Sequence, residues 1–250
     1  MGLRSLPAAT LSSLTHAPRI AASAPYTSEE FDAFVDSRAL EYAGKLEDVF
    51  VERALKLGVE SGMVLDVGTR TGLIALKLLW QNENLFSIGV DSSAAMIERA
   101  RETASAWELG ERAFFQVGDA RQMRFKSGYF DIVVSDGVLH RFADPVSVLF
   151  EMARVLKPTG ALLIRDHRRP NRFRMTRSIA GQTARLGSRM RSQIESALRG
   201  GFTVEELRQL VMRVGLAGAG VFTFDEDFIG IERQGTTDPN SWVSAREQYR

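Results

Sequence analysis

The feature that most constrains the fold of this chain is a regular alternation of short apolar segments with segments of helical periodicity. Five segments are apolar almost throughout, which is typical of strands buried on both faces, and three segments between them have the apolar spacing of helices. Buried strands separated by helices predict a parallel sheet covered on both faces. The predicted strands are 63–67, 86–90, 113–117, 130–135 and 161–165, and the predicted helices are 73–80, 94–106 and 145–155.

The last part of the chain has a different pattern. A helix is predicted at 203–214, followed by strand-like runs at 220–224 and 228–232. Only three residues, Asp225 to Asp227, separate these runs, so they must pair as an antiparallel hairpin. The predicted fold class is therefore α/β, with a seven-stranded sheet of five parallel strands and a terminal antiparallel hairpin, and with helices on both faces.

Composition limits the chemistry available to the chain. A hydrophobic content of 44% in 250 residues is enough for one domain with a sizeable core. The absence of cysteine excludes disulfides, thiolate nucleophiles and cysteine metal sites, and it fits a reducing compartment. No apolar run has the length of a membrane span, and no His, Asp and Glu cluster has the spacing of metal ligands. We therefore expect a cytoplasmic protein without a metal centre.

Three regions are expected along the chain. Residues 1–26 lack acids, carry only Arg4 and Arg19 as basic residues, and are interpreted as a loose N-terminal arm rather than a transit peptide. A domain at 27–234 begins with a helical lead at 27–58, which a capping box of Thr27 and Glu30 would open. Residues 235–250 form a C-terminal tail. The apolar residues at helical spacing in the lead are Phe31, Phe34, Val35, Leu46, Val49, Phe50, Ala54 and Leu57.

Positive charge is concentrated in one segment although the net charge of the chain is only +1. Residues 165–199 contain ten arginines, no lysine and two acids, so this segment carries +8 and the rest of the chain −7. Leu186, Met190, Ile194 and Leu198 repeat every four residues and predict a helix with one apolar stripe. We expect an arginine-rich lid at 167–200. Its arginines form either a solvated face, a pocket for an anionic acceptor, or a nucleic-acid surface, although Phe173 is the only aromatic residue available for stacking.

The first predicted strand runs into a glycine-containing loop and then into a helix. Asp66 ends the strand, and Gly68 and Gly72 frame the turn. Such a turn brings backbone amides and a helix N-terminus close to a ligand. Two glycines alone are weak evidence, since many α/β loops without ligands contain them.

The next three strands also end in polar residues. Asp91 ends the second strand, where a carboxylate can accept hydrogen bonds from ribose hydroxyls or can cap the following helix, with Ser92 and Ser93 as alternative caps. Asp119 follows the third strand, and either a turn or a contact with an adenine amino group explains it. Ser135 ends the fourth strand. Because parallel sheets bind ligands at the carboxyl ends of their strands, these residues should face one crevice.

Together these motifs resemble class I S-adenosylmethionine-dependent methyltransferases that act on small molecules. The resemblance covers residues 27–232 and rests on the segments 66–72, 118–120, 130–135 and 151–160 and on Asp91. The segment 154–160, Arg-Val-Leu-Lys-Pro-Thr-Gly, is similar to the Arg-Val-Leu-Lys-Pro-Gly-Gly turn of the family. The terminal hairpin matches the reversed seventh strand of the family's Rossmann-like sheet.

The resemblance implies a site for S-adenosylmethionine. Gly68 and Thr69 would lie against its methionine moiety, Asp91 would bind the ribose, and Asp119 with Ala120 would contact the adenine. The Ser135 backbone would approach the sulfonium. The full set of predicted cofactor-binding residues is Asp66, Gly68, Thr69, Arg70, Gly72, Asp91, Ser92, Asp119, Ala120 and Ser135.

Arg70 departs from the pattern of the family, which has a third glycine at this position of the loop. A backbone conformation suited to glycine would cost an arginine about 1–3 kcal/mol. The side chain has three possible placements: it fills the methionine pocket, it pairs with the carboxylate of the cofactor, or it points to solvent. We expect cofactor binding to be retained because the other motifs are intact.

Methyl transfer requires a base only when the acceptor must lose a proton. The histidines near the predicted site are His140, after the fourth strand, and His167, after the fifth, and each is either catalytic or structural. His140 is the better placed. We predict methyl transfer from S-adenosylmethionine to a small-molecule acceptor, with anionic acceptors favoured by the lid arginines. The alternatives are an RNA- or protein-modifying methyltransferase and a non-catalytic binding protein weakened at Arg70.

Overall fold

A computed structural model describes residues 15–21, 39–183 and 188–238 of the chain. Within these ranges the chain folds around one seven-stranded sheet with helices on both faces. The strands are β1 (Gly62–Val67), β2 (Leu85–Asp91), β3 (Ala113–Val117), β4 (Phe130–Asp136), β5 (Leu156–His167), β6 (Gly220–Thr223) and β7 (Phe228–Arg233). The helices are α1 (Ala39–Leu55), α2 (Leu73–Gln81), α3 (Ala94–Ala106), α4 (Pro145–Val155), α5 (Met175–Thr183), α6 (Ser188–Gly200) and α7 (Val204–Val214), with a 3₁₀ turn at Leu139–Arg141.

The strand order is β3-β2-β1-β4-β5-β7-β6, so the order reverses between β1 and β4. The first five strands are parallel, and β7 pairs antiparallel with both β5 and β6. This confirms the predicted fold class, including the terminal hairpin. The reversal point opens a crevice at the carboxyl ends of β1 and β4, which is where ligands bind in sheets of this kind.

The predicted turn before the fifth strand lies inside a longer strand. β5 begins at Leu156 rather than at 161, and its pairing with β4 shifts register, from Phe130 opposite Leu156 to Ile132 opposite Ala161. The extra residues bulge out, and the Arg233 guanidinium donates hydrogen bonds to the carbonyls of Lys157 and Gly160. The buried Arg233 therefore holds together a segment whose Pro and Gly predict a simple turn.

Apolar side chains pack on both faces of the sheet, as expected for parallel strands. In the helical lead, Phe50, Ala54 and Leu57 are buried as the helical spacing predicts, whereas Val49 is 53% exposed because it faces away from the sheet. The predicted capping box, Phe31, Phe34 and Val35 lie outside the described residues.

In the lid (residues 167–200), the described residues on either side of 184–187 form two helices, α5 and α6. Met175 and Ile179 of α5 pack against Leu198 and Ile194 of α6, so these two residues of the predicted stripe face inward. Leu186 of the predicted stripe lies outside the described residues.

Residues 15–21, hereafter the strap, belong to the arm that the sequence predicts to be loose. In the structure they lie against the lid: the Ile20 N–H donates to the Arg199 carbonyl, and the Arg172 N–H donates to the Thr15 carbonyl. Among the described residues, no helix is long and apolar enough to cross a membrane.

A candidate active site at the carboxyl ends of the parallel strands

The loop between β1 and α2 is folded tightly around the Asp66 carboxylate. The Thr69 hydroxyl donates to Asp66 Oδ2 at 2.7 Å, and the N–H of Ala75 donates to the same carboxyl group. Gly72 has a φ of 79° and precedes α2 without a side-chain cap on the helix. The Asp66 carboxylate thus already accepts one N–H of the first turn of α2, which lies at the positive end of the helix dipole.

Burial raises the pKa of Asp66 to about 7, although the hydrogen bond from Thr69 and the charge of Arg70 act in the opposite direction. The side chain is only 1% exposed. A cation placed in the crevice would therefore stabilise the ionised form of Asp66 and lower its pKa.

Asp91, at the end of β2, accepts one backbone hydrogen bond on each carboxylate oxygen. The Arg70 N–H donates to Oδ2 at 3.0 Å, and the Ser93 N–H donates to Oδ1 at 2.9 Å. A carboxylate has about four acceptor positions, so each oxygen keeps one for a ligand hydroxyl. The carboxylate orders the loop and remains available to a ribose, while the Ser93 side chain caps α3.

Arg70 keeps the backbone conformation that glycine would have, with a φ of 51°. Its side chain does not simply point to solvent, because its Nη2 lies 3.3 Å from Asp136 Oδ2 and 3.9 Å from Glu47 Oε1. Arg70 thus joins the loop to the end of β4 and to α1. Asp136 also binds the buried Arg165 through two bonds of 2.8 Å. Burial opposes ionisation of Asp136, but the charge and hydrogen bonds of Arg165 outweigh it and lower its pKa.

The remaining predicted residues lie along the same edge of the sheet. Asp119 is exposed and pairs with Arg121, whose hydrogen bond lowers the pKa of the carboxyl group, and Ala120 is partly buried beside it. Ser92 is exposed. Ser135 is fully buried, and its hydroxyl donates to the Val67 carbonyl at 2.9 Å, so only its backbone faces the crevice end of β4.

His140 is held by a buried carboxylate that the sequence analysis did not single out. Asp166, at the end of β5, accepts from the His140 backbone N–H and lies 2.8 Å from His140 Nδ1. Burial opposes ionisation of Asp166, but the charge of His140 and the hydrogen bond from it outweigh this and lower the pKa of the carboxyl group. Because an ionised carboxylate can only accept, Nδ1 carries a proton whether or not the ring is charged, and in the neutral ring Nε2 carries the lone pair.

His167 packs edge-on against His140, with ring centroids 4.9 Å apart, and it also contacts the ring of Phe228. Burial and the nearby His140 lower the pKa of His167 to about 3. His167 Nδ1 is buried without a hydrogen-bond partner among the described residues. A neutral ring of this kind supports the wall of the site and is a poor general base at neutral pH.

The structure brings Asp66, Thr69, Arg70, Asp91 and Ser135 together at one crevice. It also adds Glu47, Asp136, Arg165, Asp166 and Arg19, which sequence reasoning missed. Asp136 and Asp166 could have been suspected because each follows the apolar part of a parallel strand, whereas Glu47 and Arg19 give no local signal.

The crevice fits a nucleoside joined to an amino acid. The Asp91 carboxylate has the acceptor positions that a pair of ribose hydroxyls would need, and the acids Asp66 and Asp136 with Arg70 offer both signs of charge to a zwitterion. Asp119 already accepts four hydrogen bonds from Arg121, so an exocyclic amine would have to replace part of that pairing. Gly68 allows the loop to approach the segment after β4, because a Cβ there would lie 2.2 Å from Val138 Cγ2.

Comparison with known proteins agrees with this geometry. Residues 58–210, more than half of the chain, match the family model described as "Methyltransferase domain". The chain is 33% identical over 129 residues to demethylmenaquinone methyltransferase of Deinococcus radiodurans, covering 46% of this chain and 53% of that protein. It is 29% identical to malonyl-[acyl-carrier protein] O-methyltransferase of Geobacter sulfurreducens over 187 residues, which cover 70% of this chain and 65% of that one. The chain thus spans about half to two thirds of these relatives.

Solved structures show the same fold at low sequence identity. A SAM-dependent methyltransferase from Aquifex aeolicus superposes with a TM-score of 0.63 at 18% identity, covering 85% of this chain and 100% of that one. An O-methyltransferase family protein from Burkholderia thailandensis gives a TM-score of 0.65 at 22% identity, covering 85% and 62% of the two chains. Together, the matched domain, the strand order and the crevice show that the chain belongs to the class I S-adenosylmethionine-dependent methyltransferases.

Proposed function

We propose that the chain transfers a methyl group from S-adenosylmethionine to an oxygen or carbon nucleophile of a small molecule that gives up a proton. The observation that carries this proposal is the buried Asp166–His140 pair beside the carboxyl end of β4. A methyl transferase acting on an amine or thioether with a free lone pair has no need of an oriented imidazole, whereas a hydroxyl or phenol acceptor does.

The cofactor would be held by the residues at the crevice. Asp91 would accept from the ribose hydroxyls, Asp119 and Ala120 would lie at the adenine, and the loop with Gly68, Thr69 and Gly72 would face the methionine moiety. When bound, the cofactor supplies an already activated methyl group on its sulfonium. The contribution of the chain is then alignment of the acceptor and exclusion of water.

His140 would act as the general base, taking the acceptor proton on Nε2. Asp166 would act as a positioning residue, since its bonds to Nδ1 and to the His140 N–H fix both the tautomer and the orientation of the ring. His167 would remain neutral and close one side of the site.

The acceptor that we propose is a phenol or enol with an acidic group. Relatives of the chain include C-methyltransferases of ubiquinone and menaquinone biosynthesis and O-methyltransferases named for rifamycin SV and malonyl-[acyl-carrier protein]. Exposed arginines of the lid favour an acceptor with a carboxylate or phosphate; those with described side chains are Arg168, Arg172, Arg174, Arg177, Arg191 and Arg199. We therefore propose a phenolic or enolic acceptor that carries an acidic group.

Calorimetry with S-adenosylhomocysteine tests the cofactor site. We expect wild-type protein to bind it and Asp91→Asn to lose at least tenfold in affinity, because two ribose hydrogen bonds are weakened. Asp131→Asn is the matched control, since Asp131 also accepts a backbone N–H, from Met63, but lies at the start of β4 and away from the crevice. No binding by wild type together with binding by Arg70→Gly would favour the non-catalytic alternative.

Methyl transfer is tested with isotopically labelled S-adenosylmethionine and a panel of phenols, enols and amines, each with and without a carboxylate. We expect the acidic phenols and enols to be labelled, and His140→Gln to slow labelling by about 10²–10⁴-fold while S-adenosylhomocysteine affinity is unchanged. Labelling of amines alone, unaffected by His140→Gln, would overturn the proposed role of His140. Labelling of RNA or protein in place of the panel would support the macromolecular alternative.

A further inference from the structure

The strap lies across the two segments that enclose His140. Its ends are hydrogen-bonded to the lid, since the Thr15 carbonyl accepts from the Arg172 N–H at 2.8 Å and the Ile20 N–H donates to the Arg199 carbonyl at 3.2 Å. The strap is not anchored by a large apolar side chain, because Ile20 is 60% exposed. Its attachment therefore depends on polar contacts, and one residue of the strap makes four of them.

That residue is Arg19, whose guanidinium is inserted into a group of backbone carbonyls. Nη1 donates to the carbonyls of His140 at 3.3 Å and Gly200 at 3.2 Å, and Nη2 donates to those of Phe142 at 2.5 Å and Ala143 at 3.2 Å. The guanidinium also lies over the Phe202 ring, 4.9 Å from its centroid. The donors thus connect the 3₁₀ turn that carries His140 with the C-terminal end of lid helix α6.

The carbonyls around the 3₁₀ turn and the carbonyl at the end of α6 both favour a cation between them. The last carbonyls of a helix have no partner within the helix and carry the negative end of its dipole, as at Gly200. Burial lowers the pKa of Arg19, while the charges of Glu206 and Asp166 favour the cation. A guanidinium has enough donors to satisfy four carbonyls at once, which the three donors of a lysine ammonium cannot do.

We infer that Arg19 is a positioning residue for His140 and that the strap is a movable cover over the acceptor side of the site. This inference rests on the proposed function, in which His140 meets the acceptor. His140 is 2% exposed, so an acceptor reaches its ring only after a covering segment moves away. The strap is suited to that movement because its polar contacts can be exchanged for water. When it closes, Arg19 fixes the 3₁₀ turn and the lid in one arrangement and excludes water from the imidazole.

Chemical modification of His140 by diethylpyrocarbonate tests this inference without an acceptor. The reagent modifies neutral imidazoles, and the chain contains three histidines, so mass spectrometry of peptides can follow each one. We expect His140 to react slowly in wild type and at least tenfold faster in Arg19→Ala. Arg19→Lys should give an intermediate rate, and Arg213→Ala, which removes an exposed arginine of α7, should match wild type. The pH profile of the rate would show whether Arg19 also alters the protonation of the ring.

A tether separates movement of the strap from a general loosening of the fold. The chain has no cysteine, so Ile20→Cys with Arg199→Cys can be joined by a short bismaleimide in the Arg19→Ala background. We expect the tether to restore protection of His140. Equal rates in wild type and Arg19→Ala, or a fast rate that persists in the tethered protein, would overturn the inference. If wild-type protein does not bind S-adenosylhomocysteine, that result would instead count against the proposed function, whatever the modification rates are.

Discussion

Arg70 and Asp136 form an ion pair across the crevice, with Nη2 of the arginine 3.3 Å from Oδ2 of the carboxylate. Arg70 lies on the loop after β1, and Asp136 ends β4, so the pair bridges the two strands at which the order of the sheet reverses. The loop therefore tolerates an arginine at a glycine position because a partner on the neighbouring strand holds its side chain. The backbone still adopts the left-handed conformation, with a φ of 51°.

The first prediction separates backbone strain from the ion pair. A non-glycine residue in the left-handed conformation costs about 1–2 kcal/mol, which a change to glycine would relieve. Glycine also increases the entropy of the unfolded chain, which offsets about 0.5–1 kcal/mol of that relief. We expect Glu108→Gly, at an exposed position with a φ of 58°, to raise the free energy of unfolding by up to about 1 kcal/mol. The free energy of unfolding should rise less in Arg70→Gly, because this variant also loses the partly exposed ion pair, which contributes about 0–1 kcal/mol.

Urea denaturation of both variants measures these changes, and calorimetry with S-adenosylhomocysteine shows which of them matters for binding. Glu108→Gly should leave the affinity unchanged, whereas Arg70→Gly should change it. If the two variants behave alike in both measurements, the ion pair with Asp136 contributes nothing to the site.

The second prediction concerns the ionisation of Asp66, whose pKa burial raises to about 7. A ligand ammonium near this carboxylate stabilises the ionised form, so affinity for S-adenosylhomocysteine should rise by up to about tenfold per pH unit between pH 5 and 7 and then level off. The rise should be absent for 5′-methylthioadenosine, which lacks the amino-acid part, and absent in Asp66→Asn. A flat profile for S-adenosylhomocysteine in wild type would remove Asp66 from the methionine site.

The same raised pKa has a consequence for the protein without ligand. Because the folded state holds the Asp66 proton more tightly than the unfolded state, the contribution of Asp66 to stability is largest at low pH and decreases as the pH rises from about 4 to 7. We expect the free energy of unfolding of Asp66→Asn to exceed that of wild type at pH 8 by on the order of 4 kcal/mol, and this difference to disappear at pH 4. Any effect of the altered side-chain shape is the same at both pH values, so the difference between them measures the effect of the Asp66 charge alone.

The third prediction concerns the tautomer of His140. Asp166→Asn leaves the shape of the site nearly unchanged but allows its amide to donate toward Nδ1, so the proton of His140 should shift to Nε2 in part of the molecules. Nitrogen-15 spectra of the imidazoles should show protonation at Nδ1 in wild type and a mixture in Asp166→Asn. Labelling of an acceptor should fall with the fraction of the Nδ1-protonated form, while S-adenosylhomocysteine affinity stays constant. A single unchanged tautomer in the variant would show that Asp166 does not position the ring.

Local sequence patterns predicted most of the fold. The strand at 113–117 and the helices at 94–106 and 145–155 have the predicted bounds, because apolar periodicity and clear capping residues such as Ser93 and Asp144 define them locally. The start of β5 was missed because its bulge is held by Arg233, which is 73 residues away from Gly160 in the sequence. No local pattern reports a contact of that kind.

The site was predictable to a similar extent. Asp66, Asp91 and Ser135 follow apolar strands, so the parallel order of those strands predicts that they share an edge. The partners of Arg70 and the contacts of Arg19 depend on tertiary packing: Glu47 belongs to a helix before β1, and Arg19 lies 121 residues before His140. The sequence therefore predicts where the crevice is but not which charges bridge or cover it.

The fourth prediction follows from the buried ring of His167, whose pKa burial lowers to about 3. The unfolded chain takes up a proton at this residue below about pH 6.5, whereas the folded protein does not, so stability is lost as the pH falls from 6.5 toward 3. At pH 5 this loss amounts to roughly 2 kcal/mol.

His167→Phe removes the titrating group and fills the same space beside Phe228 with a ring that needs no hydrogen-bond partner. We expect the difference in the free energy of unfolding between pH 7 and pH 5 to shrink by about 2 kcal/mol in this variant, as measured by urea denaturation at the two pH values. An unchanged difference would mean that His167 is protonated in the folded protein and contributes its charge to the site.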